Sequence, residues 1–210
     1  MIELFGSALA TFLVIIDPPG CAPIFASLTR GTSAAHRRAM AIRSTLIAWG
    51  ILMFFALLGR PMLAALGISL ASFRIAGGIM LFFIAFDMIF ERRTARREMR
   101  AHSIEGTPEA EDISVFPMAI PMITGPGSIA SAMLWVSRAD DVLQIATVLA
   151  AITVVMLITM VTLLAAGPLM KLIGERIEAM ITRILGVILA ALAAQFVIDG
   201  LKQSFPSLLA

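Results

Sequence analysis

Asp17-Pro18-Pro19-Gly20, followed by Pro23, and Thr124-Gly125-Pro126-Gly127, preceded by Pro117 and Pro121, decide how this chain is read. Each motif interrupts an apolar run about half a chain from the other. The surroundings are too apolar for a surface loop, and the motifs hold too many helix breakers for an unbroken helix. In a bilayer, irregular backbone persists only where protein or a water-filled cavity satisfies the freed N–H and C=O groups. A matched pair of interrupted hydrophobic segments in two halves is the sequence mark of a transporter binding site.

Composition agrees with that setting. The chain of 210 residues is 60% hydrophobic and 14% charged, more apolar surface than a water-soluble domain of this size can hide, so lipid is its solvent. No acidic residue falls between Asp17 and Asp87. The Arg residues cluster at 30–43 and 92–100, both flanking apolar runs. The positive-inside rule accounts for these blocks without a nucleic-acid partner. Cys21 is the sole cysteine, which excludes an intrachain disulfide, and His36 and His102 have no second ligand at helical spacing. Neither metal nor organic cofactor is expected. Met1-Ile2-Glu3 lacks a basic leader, so the first apolar run is read as a retained span.

The fold class expected is all-α integral membrane, with six spans near residues 2–28, 39–59, 70–90, 113–136, 142–166 and 181–201. The first and fourth spans are broken. Residues 1–90 form a first three-helix repeat, 91–112 a polar, solvated cytoplasmic linker, and 113–210 a second repeat. The linker runs from basic to acidic, ending in Glu105, Glu109, Glu111 and Asp112. Lys171 and Arg176 add to the basic side, which leaves both termini outside the cytoplasm. At one constant offset Pro19-Gly20 falls on Pro126-Gly127, Pro61 on Pro168 and Gly67 on Gly174. Slightly further along, Arg74-Ile75-Ala76-Gly77 falls on Arg183-Ile184-Leu185-Gly186. Three spans per half is odd, so the second half enters from the opposite side and the repeat is inverted.

Asp17 is the sharpest single candidate for chemistry. An acid near the bilayer centre costs about 2.5–3.5 kcal/mol on insertion scales, so it faces a cavity or a partner. It also suits an N-cap, since Asp before Pro-Pro can accept from the N–H groups of a helix resuming after Gly20. Pro19, Gly20 and Cys21 share its break. At the second break Gly125 and Gly127 allow close approach to the backbone. A helix restarting near Ser128 would turn free N–H groups toward a carboxylate, and Thr124 and Ser128 add hydroxyls. Gln195 lies inside the last span with Asp199 one turn on, either a ligand or an interhelical hydrogen bond. Gly77-Gly78 reads as close helix contact. Asp87 reads as an interfacial acid paired with Arg92 or Arg93, Trp49 as packing, and Trp135 as an interfacial anchor.

The motif Asp17-Pro18-Pro19-Gly20-Cys21-Ala22-Pro23-Ile24-Phe25 resembles the first-span signature of the MarC family of prokaryotic inner-membrane proteins, also called the neutral amino-acid transporter family. Ile120-Pro121-Met122-Ile123-Thr124-Gly125-Pro126-Gly127-Ser128-Ile129 is similar to its fourth span. Arg74-Ile75-Ala76-Gly77-Gly78-Ile79, Arg183-Ile184-Leu185-Gly186 and Gln195-Phe196 match its third and sixth. The resemblance implies six spans in two repeats and, for some members, movement of small neutral amino acids. Cys21 departs from it, because members commonly carry Asn there and an amide ligand is lacking.

The function expected is therefore a secondary transporter for alanine, glycine or serine, alternating access around a midplane site in a bacterial or archaeal inner membrane. Asp17 would meet the ammonium or a coupling H⁺ or Na⁺, and Gly125–Ser128 the carboxylate. The partners expected are lipid, a small solute and a second copy of the chain. No Walker sequence is present to couple ATP. The alternatives are a non-transporting scaffold or regulator, and an intramembrane enzyme pairing Asp17 with Asp87. The Gly-x-Gly-Asp context of that enzyme is absent.

Overall fold

The protein is seen in a computed structural model that describes residues 1–103 and 112–205. Its elements are α1 (Ile2–Ile16), α2 (Pro18–Leu28), α3 (Ala34–Ala65), α4 (Leu70–Ile89), α5 (Arg92–Ser103), a wide-turned segment Ser114–Ile123, α6 (Pro126–Ser137), α7 (Val142–Leu164) and α8 (Ala166–Ser204). Five helices among the described residues, or six spans if Ser114–Ile123 and α6 count as one bent pair, are long and apolar enough to cross a membrane.

Both breaks fall where the Pro and Gly residues put them. Asp17 takes a left-handed conformation (φ 56°, ψ 66°) that ends α1 and caps α2. The two pieces still form one 27-residue span, whereas Ser114–Ile123 and α6 meet at a bend of 58°. Inside Ser114–Ile123 the residues before Pro117 and Pro121 are extended, as a following proline demands. Ser33, Ser69 and Asp141 cap α3, α4 and α7 through their side chains.

The packing exchanges partners between halves. α3 lies on Ser114–Ile123 and α6, the broken span of the second half, while α7 lies on α1 and α2, the broken span of the first. α4 packs against α8 along an extensive interface. The broken spans thus occupy the centre: α1, α2 and α6 contribute much of the buried core, including Phe12, Ile16, Phe25 and Leu134. Large apolar side chains such as Phe82, Phe83 and Val161 face outward, as they do when lipid is the solvent.

Four expectations change. The linker is not solvated throughout, because α5 carries Arg97 into the interior, where it is 5% exposed. Trp135 is buried rather than anchored at an interface. Asp87 pairs with Arg96; Arg92 instead lies over the Phe86 ring at 5.6 Å. The sixth span belongs to a longer helix, α8, which tolerates Pro168 in its first turn, where the N–H has no intrahelical acceptor anyway. Glu105, Glu109 and Glu111, and the side chains of Lys171 and Arg176, lie outside the described residues.

Candidate functional site

Asp17 is the point from which the centre is organised. Its carboxylate accepts from the Gly20 N–H (3.2 Å), the capping role its place before Pro18-Pro19 suggests. The other oxygen accepts from the Arg97 guanidinium at 3.0 Å, and the two side chains are 1% and 6% exposed. The same guanidinium donates to the Ile16 carbonyl (3.4 Å) and, more distantly, reaches that of Met122 (3.5 Å). Ile16 ends α1 and Met122 precedes the second break, so one cation from α5 ties both breaks together. Carbonyls freed by a broken helix need such a donor when water is excluded.

Gly20 is fixed by space. A Cβ there would lie 2.2 Å from one Asp17 carboxylate oxygen and 2.9 Å from an Arg97 nitrogen. Pro19 is half-buried beside it. Cys21 is fully buried with its thiol toward the Ile16 carbonyl at 3.5 Å. The first-break candidates therefore surround an internal ion pair, and Asp17 is met by Arg97 in this conformation.

The second break opens onto a cavity of about 280 Å³. Its lining includes Asp87, Arg96, Arg97, Gly125, Gly127 and Ser128. Pro126 begins α6 without an N–H, and Gly125 at the N-cap has no side chain to cap the turn. The N–H groups of Gly127 and Ser128 thus have no acceptor within the helix, and the dipole makes this end attractive to an anion. Gly127 keeps α6 against α4 and α1: a Cβ would lie 2.3 Å from Ile84 Cδ1. Arg96 forms its ion pair with Asp87 at the same cavity. Carboxylate, two guanidinium groups and a helix N-terminus share one small space, suited to a solute carrying both charges.

The hydroxyls are engaged elsewhere. Thr124 donates to the Ala119 carbonyl (2.6 Å), and Ser128 to those of Ile123 (2.9 Å) and Gly125 (3.0 Å). They hold the break in shape. Gln195 is not brought to the cavity. It donates to Asp199 (2.7 Å) at the other end of α6, where Asp199 also pairs with Arg138. Asp17 and Asp87 are each met by a separate guanidinium, unlike two acids sharing a proton.

Sequence reasoning missed Arg97, Arg96 and the cavity role of Asp87. A buried carboxylate demands a cation, and the nearby basic block was the available source. Nothing within five arginines spread over residues 92–100 marks the one that turns inward.

Two interrupted spans packed at the core of a helical bundle, with a charged cavity at one break, define a polytopic membrane protein with an internal polar site. The chain belongs to the MarC family: the MarC family integral membrane protein model matches residues 2–205. A UPF0056 membrane protein of Archaeoglobus fulgidus is 35% identical over 99% of this chain and 96% of its own length. UPF0056 membrane protein YhcE of Escherichia coli is 33% identical over 93% of this chain and 90% of its own. UPF0056 inner membrane protein YhgN of the same species is 32% identical over 94% and 95%. These names carry no enzymatic activity, and with the apolar helices they place the chain as a multi-pass protein of the inner membrane. No solved structure gives a significant match.

Proposed function

We propose that this protein is a secondary transporter of small solutes bearing both charges, with neutral amino acids such as alanine, glycine or serine as the best fit. The observation that carries this reading is the cavity at the second break, with Arg96, Arg97, Asp87 and the uncapped start of α6 around it. Its size, about 280 Å³, falls just under the roughly 300–1,000 Å³ of drug-sized pockets and suits a solute of a few heavy atoms. The carboxylate binds the Gly127 and Ser128 N–H groups and an arginine; the ammonium binds Asp87 once Arg96 swings away. Asp17 acts through Arg97, which it holds in place. The exchange of packing partners between halves supports an inverted repeat whose halves rock about this site. The basic blocks support a cytoplasmic linker with both termini on the other side. Coupling to H⁺ or Na⁺ completes the scheme, and no organic cofactor enters it.

Counterflow of labelled alanine and glycine in proteoliposomes tests this, comparing wild type with Asp87→Asn and Asp17→Asn. Saturable exchange that is lost in Asp87→Asn supports the site. Folded wild-type protein without exchange would sink small neutral amino acids as the substrates.

A further inference from the structure

Beyond the cavity, α6 carries a second set of polar groups on one side. Ser128, Ser131, Trp135 and Arg138 follow one another at steps of three and four, which places them on one helical face. The other sides of α6 are closed by packing. Met133 fills the space at Gly59 of α3, where a Cβ would lie 2.5 Å from its Cγ. Leu134 and Ala130 cover Gly77 of α4, at 2.9 and 3.7 Å from a Cβ there.

Ser131 and Trp135 are 0% and 5% exposed, yet the Ser131 hydroxyl and the Trp135 indole N–H have no hydrogen-bond partner among the described residues. Among the described residues, only the Ser114 hydroxyl and Arg74 Nε are also buried without a partner. The buried hydroxyls of Thr11, Thr29, Ser44, Thr45, Ser137 and Thr159 all return to a carbonyl of their own helix, the usual resort of Ser and Thr in a helix. Even the partly exposed Trp49 donates to the Thr153 hydroxyl at 3.1 Å. Two unsatisfied groups one turn apart, on the face that starts in the cavity, are costly unless something polar passes them.

The far end of this face is shut. Arg138 pairs with Asp199 of α8 and stacks on the rings of Trp135 (5.5 Å) and Phe196 (4.3 Å). The two rings themselves meet edge to face at 6.4 Å.

We propose that the α6 face bearing Ser128, Ser131, Trp135 and Arg138 lines the route between the cavity and the opposite side of the membrane. Ser131 and Trp135 form a second hydrogen-bonding station there for the carboxylate or carbonyl oxygen of the solute. This rests on the transporter reading and adds to it a path, a station and a closure of Arg138, Asp199, Trp135 and Phe196.

The test uses the full chain in proteoliposomes with the native thiol removed by Cys21→Ala. Ser131→Cys and Met133→Cys are each exposed to a water-soluble, membrane-impermeant methanethiosulfonate. Only a thiol reached by water ionises and reacts readily, so Ser131→Cys is expected to label about tenfold faster or more. Equal, slow labelling of both would overturn the route. Trp135→Phe keeps the ring and removes the donor; it is expected to raise half-saturation for counterflow several-fold without lowering thermal stability. An unchanged half-saturation would remove Trp135 from the station. If no amino acid exchanges while Ser131→Cys still labels selectively, the route stands and the substrate assignment falls.

Discussion

A guanidinium and a carboxylate buried together beside the cavity form a tight constraint at the centre of the molecule. Arg97 and Asp17 are almost wholly buried, and each would be left as an isolated interior charge if the other were removed. Breaking such a pair costs about 3–5 kcal/mol, whereas replacing both members costs much less. Arg97→Met is therefore expected to lower the apparent melting temperature in detergent sharply. Asp17→Asn should cost less than Asp17→Ala, because Asn still caps α2. The double variant Arg97→Met with Asp17→Asn should regain part of the loss, as a thermal-unfolding series would read; strictly additive losses would show that the pair contributes nothing as a pair. Asp17 itself was legible in the sequence, since a lone acid at a Pro-Pro-Gly break must be capping, paired or functional. Its partner was not, because α5 presents several arginines in a strongly polar run and composition alone assigns that run to water.

At the scale of elements, the breaks were legible because Pro and Gly are conformationally demanding, and the ends of α4 and α7 because apolar length sets them. Close contact between helices was legible only in part. Gly77 and Gly78 point two ways, toward Leu134 of α6 and toward Val197 and Ala193 of α8. At Gly78 a Cβ would lie 2.8 Å from the Ala193 carbonyl oxygen and 3.0 Å from the Val197 nitrogen, and backbone cannot swing aside as a side chain can. Gly200 repeats this on α8, where a Cβ would lie 2.9 Å from the Ala71 oxygen. Overpacking of this kind costs about 1–3 kcal/mol. Gly78→Ala should thus destabilise the α4–α8 pair, while Gly50→Ala, which meets nothing within 4 Å, should stabilise α3 slightly through helix propensity. Melting temperatures of the two variants, measured side by side in one detergent, decide this. A neutral Gly78→Ala would mean that α4 and α8 can slide apart at little cost.

Across the whole molecule, α6 joins two ends that are closed by different means. At its start, Arg96 and Arg97 of α5 pair with Asp87 and Asp17 beside the cavity. At its finish, Arg138 and Asp199 pair over the ring contact of Trp135 and Phe196. Sequence periodicity cannot reveal this arrangement, because both closures join residues from separate elements that only packing brings together. Under the proposed transporter reading the two ends must not open at once, and a shift of population toward one state comes only from a difference in interactions between the states. Asp199→Asn weakens the far closure alone. In a Cys21→Ala background it should speed labelling of Ser131→Cys from that side and, in the same membranes, slow labelling of Ser128→Cys from the α5 side. Arg96→Ala, which releases Asp87, should do the reverse. The coupled, opposite signs are what matter: if loosening one end sped labelling from both sides, the two closures would be independent and the protein would behave as a pore. Opposite changes would establish that the halves move as one two-state body around the cavity at Gly125–Ser128.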